Sequence, residues 1–464
     1  MKHTEPFYLF NTLNGQKEVL EACDPEHLKI YACGPTVYNF AHIGNARMAV
    51  VFDTLVRTLR AVYPKVTYVS NITDIDDKII EAAIEQKVEI SAITEKYTQI
   101  YNEDMAKLNV LAPDVQPKAT EYISEMIELI EELISKDFAY EKEGHVLFHV
   151  PSYNNYGKLS KRNRDEQIAG SRVEVAPFKK DPADFILWKP SPDPMPGWES
   201  PWGFGRPGWH LECSAMSEKT LGLPFDIHSG GMDLVFPHHE NEIAQTCSLH
   251  KNHDPDSFAH FWFHNGFVNV EGEKMSKSIG NIRLVHDLKN QYNGEVLRLT
   301  LLSAHYRQPL NWTKEIIDQN SKMLDRLYRS LKDLQDIELT SKNLSEDVME
   351  SLLDDLNTPK LLAHLNTLAN KLSTANKDEK INIKNNLIAA GKILGILRED
   401  PDVWLGYNQS LNPEKEEIEG LINQRNEARR DKDFKLADEI RDKLKIKGIE
   451  IEDTNNGTIW RKDS

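Results

Sequence analysis

The chain reads as an α/β protein: a split, Rossmann-like parallel sheet with an insertion, then an α-helical bundle and a small mixed α/β C-terminal domain. Three observations predict this. An apolar run at Leu28–Cys33, a helical stretch from Asn45 to about Val62 and a β-branched run at Val66–Asn71 have the spacing of a βαβ unit. The alternation resumes from His210 to Val270, after a segment of different pattern. From Glu295 to about Leu397 the spacing is helical almost throughout, and a hairpin signature closes the chain. The expected domain bounds are 1–118 and 206–294 for the two halves of the sheet domain, 119–205 for the insertion, 295–402 for the bundle and 411–464 for the tail.

Phe7–Leu13 and Leu28–Cys33 read as the opening strands, with an Asn14-Gly15 turn after the first. In the first helix Ala49, Phe52, Val56 and Leu59 form the apolar stripe. His42, Gly44 and Asn45 therefore sit where a strand hands over to a helix N-terminus, whose free amides and dipole suit a phosphate. Cys33 falls at the strand's carboxyl end, where open α/β sheets bind ligands. A plain strand–turn–helix with a satisfied histidine is the competing reading of this stretch alone. Asp74, Asp76 and Asp77 follow the next strand; they suit Mg²⁺, or else are first-turn acids complementing the helix dipole.

Helices are expected at Ser91–Leu108 and Thr120–Lys136, separated by the breakers Pro113 and Pro117. Ala139-Tyr140, His145–Val150 and the polar Tyr153–Asp165 suggest a small β-containing insertion that ends at Asp181–Lys189. Pro190–Gly208 reads as a long loop. Then come a helix at His210–Leu221, a strand at Phe225–His228, a tight turn at Gly230-Gly231, a helix from Pro237 to about Leu249 and one strand over Phe261–Val270. Met323, Leu324, Leu327, Leu331 and Leu334 stripe a bundle-core helix at Lys322–Leu334. The tail offers helices at Glu414–Arg430 and Phe434–Lys447, the latter stopped by Gly448, then strands flanking Asn455-Asn456-Gly457. Arg425, Arg429, Arg430, Lys432, Lys435 and Arg441 suggest a basic face, with Trp460 near enough to stack on an RNA base; a solvated helix pair is the alternative.

Composition bounds the function. A length of 464 residues exceeds one core. The net charge of −17 argues against non-specific nucleic-acid coating but leaves room for a local basic groove. Four cysteines make no disulfide framework, no apolar run reaches membrane-spanning length, and Met1–Pro6 lacks the apolar core of a signal peptide. A cytoplasmic protein without membrane attachment is expected.

Two further clusters carry chemistry. In Pro237-His238-His239-Glu240-Asn241-Glu242, His238 and Glu242 project from one helix face at i and i+4. Two such donors suit zinc, with Cys33 and Cys213 as candidates for the other two; a surface helix contact is the alternative. Lys274 and Lys277 lie in a Gly-bounded loop, Glu271–Gly280, where mobile cations can clamp the phosphates of a leaving pyrophosphate.

His42-Ile43-Gly44-Asn45 and Lys274-Met275-Ser276-Lys277-Ser278 resemble the two nucleotide motifs of class I aminoacyl-tRNA synthetases. The contexts Tyr31-Ala32-Cys33-Gly34-Pro35-Thr36, Gly208-Trp209-His210-Leu211-Glu212-Cys213 and Phe236-Pro237-His238-His239-Glu240-Asn241-Glu242 resemble the cysteinyl-tRNA synthetases in particular, and the resemblance runs along essentially the whole chain. It implies ATP-dependent formation of cysteinyl-adenylate and transfer of cysteine to the 3′ end of tRNA(Cys), with Mg²⁺ accompanying ATP. It implies a zinc ion on Cys33, Cys213, His238 and Glu242 that binds the substrate thiolate, and a pocket lined by Thr73 and Trp209. His42, Gly44, Asn45, Lys274 and Lys277 would serve ATP, although Asn45 stands where the class's general motif has a second histidine. The insertion is too short for a large editing module, and a monomer is implied. Ala437-Asp438-Glu439-Ile440-Arg441 and Gly457-Thr458-Ile459-Trp460-Arg461 resemble the family's anticodon-reading domain. A cysteine ligase acting on a sugar amine shares the catalytic half but would lack this tail. A non-catalytic RNA-binding regulator would have lost metal ligands or signature lysines.

Overall fold

The computed structural model describes residues 6–170, 177–250, 253–276, 278–339, 345–406, 415–454 and 457–462. The chain divides into two compact units, one of residues 1–317, 346–362 and 393–396, the other of residues 318–345, 363–392 and 397–464.

The first unit is built on a four-stranded sheet in the order Ala259–Asn265, Phe225–Gly231, Leu28–Ala32, Val66–Ser70. Every neighbouring pair is parallel, and Tyr31 faces His228 where the two sequence-distant halves join. The helix Ile43–Val62 makes the right crossover length between Leu28–Ala32 and Val66–Ser70 and buries Val50, Phe52, Leu55, Val56 and Leu59. The carboxyl ends of all four strands thus present Cys33, Asn71, Gly231 and Asn265 along one edge.

Three departures from the sequence reading concern this edge. Gly230 and Gly231 form no tight turn; they extend the strand Phe225–Gly231. A Cβ on Gly230 would lie 2.6 Å from the His239 ring, so close packing rather than a turn requires the glycine. The expected single strand Phe261–Val270 breaks at Gly266: Ala259–Asn265 stays in the central sheet, while Val268–Val270 pairs with Glu273–Lys274 and Leu310–Trp312. The long loop Pro190–Gly208 contains a strand, Gly205–Pro207, which completes the insertion sheet with Ala139–Lys142, His145–Phe148 and Phe185–Pro190.

In the second unit, Leu324, Leu327 and Leu334 are buried, in keeping with a bundle core. The tail packs the helices Lys415–Arg430 and Phe434–Ile446 on the hairpin Ile449–Thr454/Gly457–Lys462. Its core joins Ile418, Leu421, Ile422, Ile440, Leu444, Ile449 and Trp460. Trp460 is only 3% exposed, which removes it as a stacking platform for an RNA base. Arg425 leaves the basic face too: it is buried and forms a bidentate pair with Asp453 at 2.8 Å, and Arg429 pairs with the same carboxylate. Arg430, Lys432, Lys435 and Arg441 remain exposed. Residues 455–456, the expected hairpin turn, lie outside the described residues.

Candidate active site and metal centre

Cys33 follows the strand Leu28–Ala32, and its amide donates to the Ser229 carbonyl at 3.0 Å. Cys213 lies in the helix Trp209–Leu221. His238 lies on a wide helical turn, Val235–His239, and Glu242 in the first turn of the helix Glu240–Ser248. The expected continuous helix from Pro237 is therefore two pieces, yet His238 and Glu242 still converge. All four side chains are buried, and their ligating atoms lie within 4.8 Å of one another. Cys33 Sγ is 3.6 Å from Cys213 Sγ and 3.7 Å from Glu242 Oε1, and His238 Nε2 is 3.0 Å from Glu242 Oε1. A tetrahedral ion with bonds of about 2.3 Å to sulfur and about 2.0 Å to nitrogen or oxygen separates two sulfurs by about 3.8 Å and a nitrogen–oxygen pair by about 3.3 Å. The donor set fits zinc in both chemistry and spacing.

Four histidines that the sequence reading did not single out surround this group. His210 Nδ1 lies 2.9 Å from His238 Nδ1 and so turns His238 Nε2 toward Glu242. His228 Nε2 lies 2.8 Å from Glu242 Oε2. His239 Nε2 lies 3.2 Å from Cys33 Sγ, while its Nδ1 meets His264 Nε2 at 2.8 Å, and His264 Nδ1 meets Thr12 Oγ1 at 2.8 Å. Cys33, His228, His239 and Glu242 form a second group of four within the same distance limit. It has one sulfur instead of two and is the harder, less zinc-selective set. Partners of this kind orient ligands and raise their basicity. The sequence signals were of two kinds: His228 and His264 lie on strands, while His210 and His239 sit next to Trp209 and His238 inside the ligand motifs.

The site's charges are strongly coupled. Burial pushes Glu242 up, but His228 and His238 outweigh it and hold the carboxyl down at about 2. Burial pushes His238 down, but Glu242 and Cys213 outweigh it and raise the ring to about 10. The hydrogen bond from Cys33 lowers Cys213 to about 6, whereas burial drives Cys33 well up. Glu242 and Cys213 thus already favour the anionic forms that ligate a cation, whereas His238, held as an imidazolium between them, must give up its proton when a metal binds.

Trp209 borders this group, and Thr73 reaches it through Glu212, the residue before Cys213. Thr73 Oγ1 donates to Glu212 Oε2 at 2.8 Å, and the Trp209 ring stacks on His238 with centroids 4.2 Å apart. Trp209 also lines two cavities, one of about 500 Å³ toward the insertion and one of about 520 Å³ bounded by His42, Asn45, Asp233, Phe267 and Lys274.

In the second cavity the structure corrects the picture of free helix amides. His42 is the N-cap of the helix Ile43–Val62; its Nδ1 accepts from the Gly44 and Asn45 amides at 3.1 and 3.3 Å. Asn45 Oδ1 in turn accepts from the His42 amide at 3.1 Å, completing a capping box. Burial lowers the His42 pKa, so the ring is neutral and carries its proton on Nε2. The helix start therefore offers the His42 Nε2–H and the Asn45 side-chain Nδ2–H donors rather than bare backbone. Lys274 Nζ stands 5.4 Å from the Phe267 ring centroid. Lys277 lies outside the described residues. Asp233 and Phe267 were not anticipated.

The three acids considered for Mg²⁺ are dispersed, each with its own partner. Asp76 caps the helix Asp77–Gln86 at the Lys78 amide, Asp74 accepts from Thr120, and Asp77 pairs with Lys189 and Arg206. The capping alternative fits the structure.

Residues 19–322 match the family described as tRNA synthetases class I (C) catalytic domain, 347–398 the DALR domain, and 413–461 the cysteinyl-tRNA ligase anticodon binding domain. The cysteine–tRNA ligase of Parvibaculum lavamentivorans is 57% identical over 457 residues, covering 98% of this chain and 97% of the relative. That of Rhodospirillum rubrum is 53% identical over 461 residues, covering 98% and 99%. Among solved structures, Mycobacterium tuberculosis methionyl-tRNA synthetase in complex with methionyl-adenylate is similar with a TM-score of 0.56 and 14% identity, covering 80% of this chain and 89% of that one. The Agrobacterium radiobacter LeuRS–tRNA–LeuAMS ternary complex gives 0.58 and 11%, covering 83% and 86%; at such identities the likeness is one of fold.

Proposed function

The chain belongs to the cysteine–tRNA ligase family of class I aminoacyl-tRNA synthetases, and on that premise we propose that it activates L-cysteine with ATP and Mg²⁺ and passes the cysteinyl group to the 3′ end of tRNA(Cys). One observation carries the reading for this chain: the buried convergence of Cys33, Cys213, His238 and Glu242 beside a cavity walled by His42, Asn45 and Lys274.

In the first step the cysteine carboxylate attacks the α-phosphorus, and the bond to the β-phosphate oxygen breaks as pyrophosphate leaves. No protein nucleophile is needed; positioning and charge stabilisation do the work. His42 Nε2–H and the Asn45 amide group donate to phosphate oxygens. Lys274, and Lys277 through the same loop, neutralise the charge that grows on the leaving pyrophosphate. Zinc held by Cys33, Cys213, His238 and Glu242 would supply a soft Lewis acid that favours a thiolate strongly over a hydroxyl. Thr73 and Trp209 wall the substrate side of that group. Discrimination by a metal contact makes a separate editing step unnecessary, because a hydroxyl analogue loses orders of magnitude at the first encounter. On the tail, Arg430, Lys432, Lys435 and Arg441 are among the exposed cations available to tRNA phosphates.

The test is ATP–pyrophosphate exchange with each of the standard amino acids in turn. Exchange with cysteine alone is expected; exchange driven equally by another amino acid, or none with cysteine, contradicts the proposal.

A further inference from the structure

Arg47 lies two residues beyond Asn45, about half a turn, on the helix Ile43–Val62 and is fully buried. Its guanidinium donates to four backbone carbonyls: Nη1 to Gly266 at 3.0 Å and Phe267 at 2.6 Å, Nη2 to His305 at 3.1 Å and Gln308 at 2.6 Å. Burial lowers its pKa to about 10, which leaves it charged near neutrality, and no carboxylate among the described residues offsets that shift. A cation so placed is held by carbonyl dipoles alone. Such an arrangement fixes backbone geometry at an appreciable desolvation cost.

The four carbonyls belong to two segments. Gly266-Phe267 joins the central-sheet strand Ala259–Asn265 to Val268–Val270, and His305–Gln308 leads into Leu310–Trp312, the parallel partner of Val268–Val270. Gly266, Phe267 and Val268 all line the cavity that holds His42 and Asn45. One guanidinium thus ties the helix of the first nucleotide motif to the opposite wall of the same cavity. Phe267, carried on that wall, has Lys274 of the second motif above its ring.

We infer that Arg47 is the positioning residue of the nucleotide cavity: it presets the Gly266–Val268 wall against the His42 helix, so that ATP meets a formed site. It touches no substrate. The inference rests on the assignment of ATP to this cavity. A lysine has one nitrogen and cannot reach four carbonyls in a planar fork, so Arg47→Lys keeps the charge and loses the geometry.

Steady-state exchange kinetics test this. Arg47→Lys should raise KM for ATP about tenfold or more, with kcat within a few-fold and KM for cysteine unchanged, the signature of lost ground-state binding. In Arg47→Ala, millimolar guanidinium chloride should bring KM for ATP back toward the wild-type value. A merely structural role would instead lower the active fraction, reducing kcat with neither KM changed. That result, or KM for both substrates rising together, overturns the inference. Wild-type protein is the control for the function itself: absent cysteine-dependent exchange sinks the proposed activity, whereas normal wild-type exchange with an unaltered ATP KM in Arg47→Lys sinks only the role of Arg47.

Discussion

Cys213→Ser is expected to strip the metal and abolish cysteine activation. Serine keeps the size of the side chain, but its hydroxyl is a poor ligand for zinc at neutral pH, while the Cys213 thiol is already inclined to ionise, held near 6 by its hydrogen bond from Cys33. Losing one of two thiolates from this buried group leaves one sulfur, one imidazole and one carboxylate, a weaker and less zinc-selective donor set. A metal contact contributes several kcal/mol, so cysteine-dependent exchange should fall by about 10³-fold or more. Metal content per chain should fall with it. Cys23→Ser is the control, since Cys23 is exposed and remote from the cluster, and it should retain both. Normal exchange by Cys213→Ser, with zinc still bound, would remove the metal assignment.

The second large effect is at His42, where one ring does two jobs that substitution can separate. His42→Ala loses the N-cap acceptor and the Nε2 donor together. Stability should drop by about 1 kcal/mol in urea unfolding, and exchange should slow by about 10² to 10³-fold, the usual loss for one preorganised donor. His42→Ser restores an N-cap oxygen but cannot reach the phosphates. It should recover the stability and leave the rate low, with KM for cysteine unchanged. A rate within a few-fold of wild type in His42→Ser would show that the Nε2 donor does not act in the reaction.

The sequence predicted the parallel sheet because its signals are local: Leu28–Cys33, the stripe Ala49, Phe52, Val56 and Leu59, and Val66–Asn71 each declare their element unaided. The placement of the candidate residues was legible where they sit in short motifs, as at His42–Asn45 and His238–Glu242. What escaped depends on long-range partners. Trp460 was read as a stacking surface, but helix residues more than 15 positions away close over it in the tail core. Arg425 looked available until Asp453, across the hairpin, claimed it. The ring of His210, His228, His239 and His264 becomes visible only when two strands and two helical segments meet. Likewise, the amides of Gly44 and Asn45 were counted as free because nothing in sequence shows that the cap residue's own ring turns back on them. Arg47 stood two residues past the first motif, yet its four acceptors lie more than 200 residues downstream.

The most direct measurement is transfer of labelled cysteine to a bulk tRNA pool by the purified full chain, with labelled serine in parallel. Charging with cysteine and none above background with serine is the predicted result, and it reports the reaction and the thiol filter together. Equal charging with serine would contradict selection by a metal–thiolate contact. Cysteine-dependent exchange without any charging of tRNA would contradict the ligase reading and point to a small amine as the acceptor.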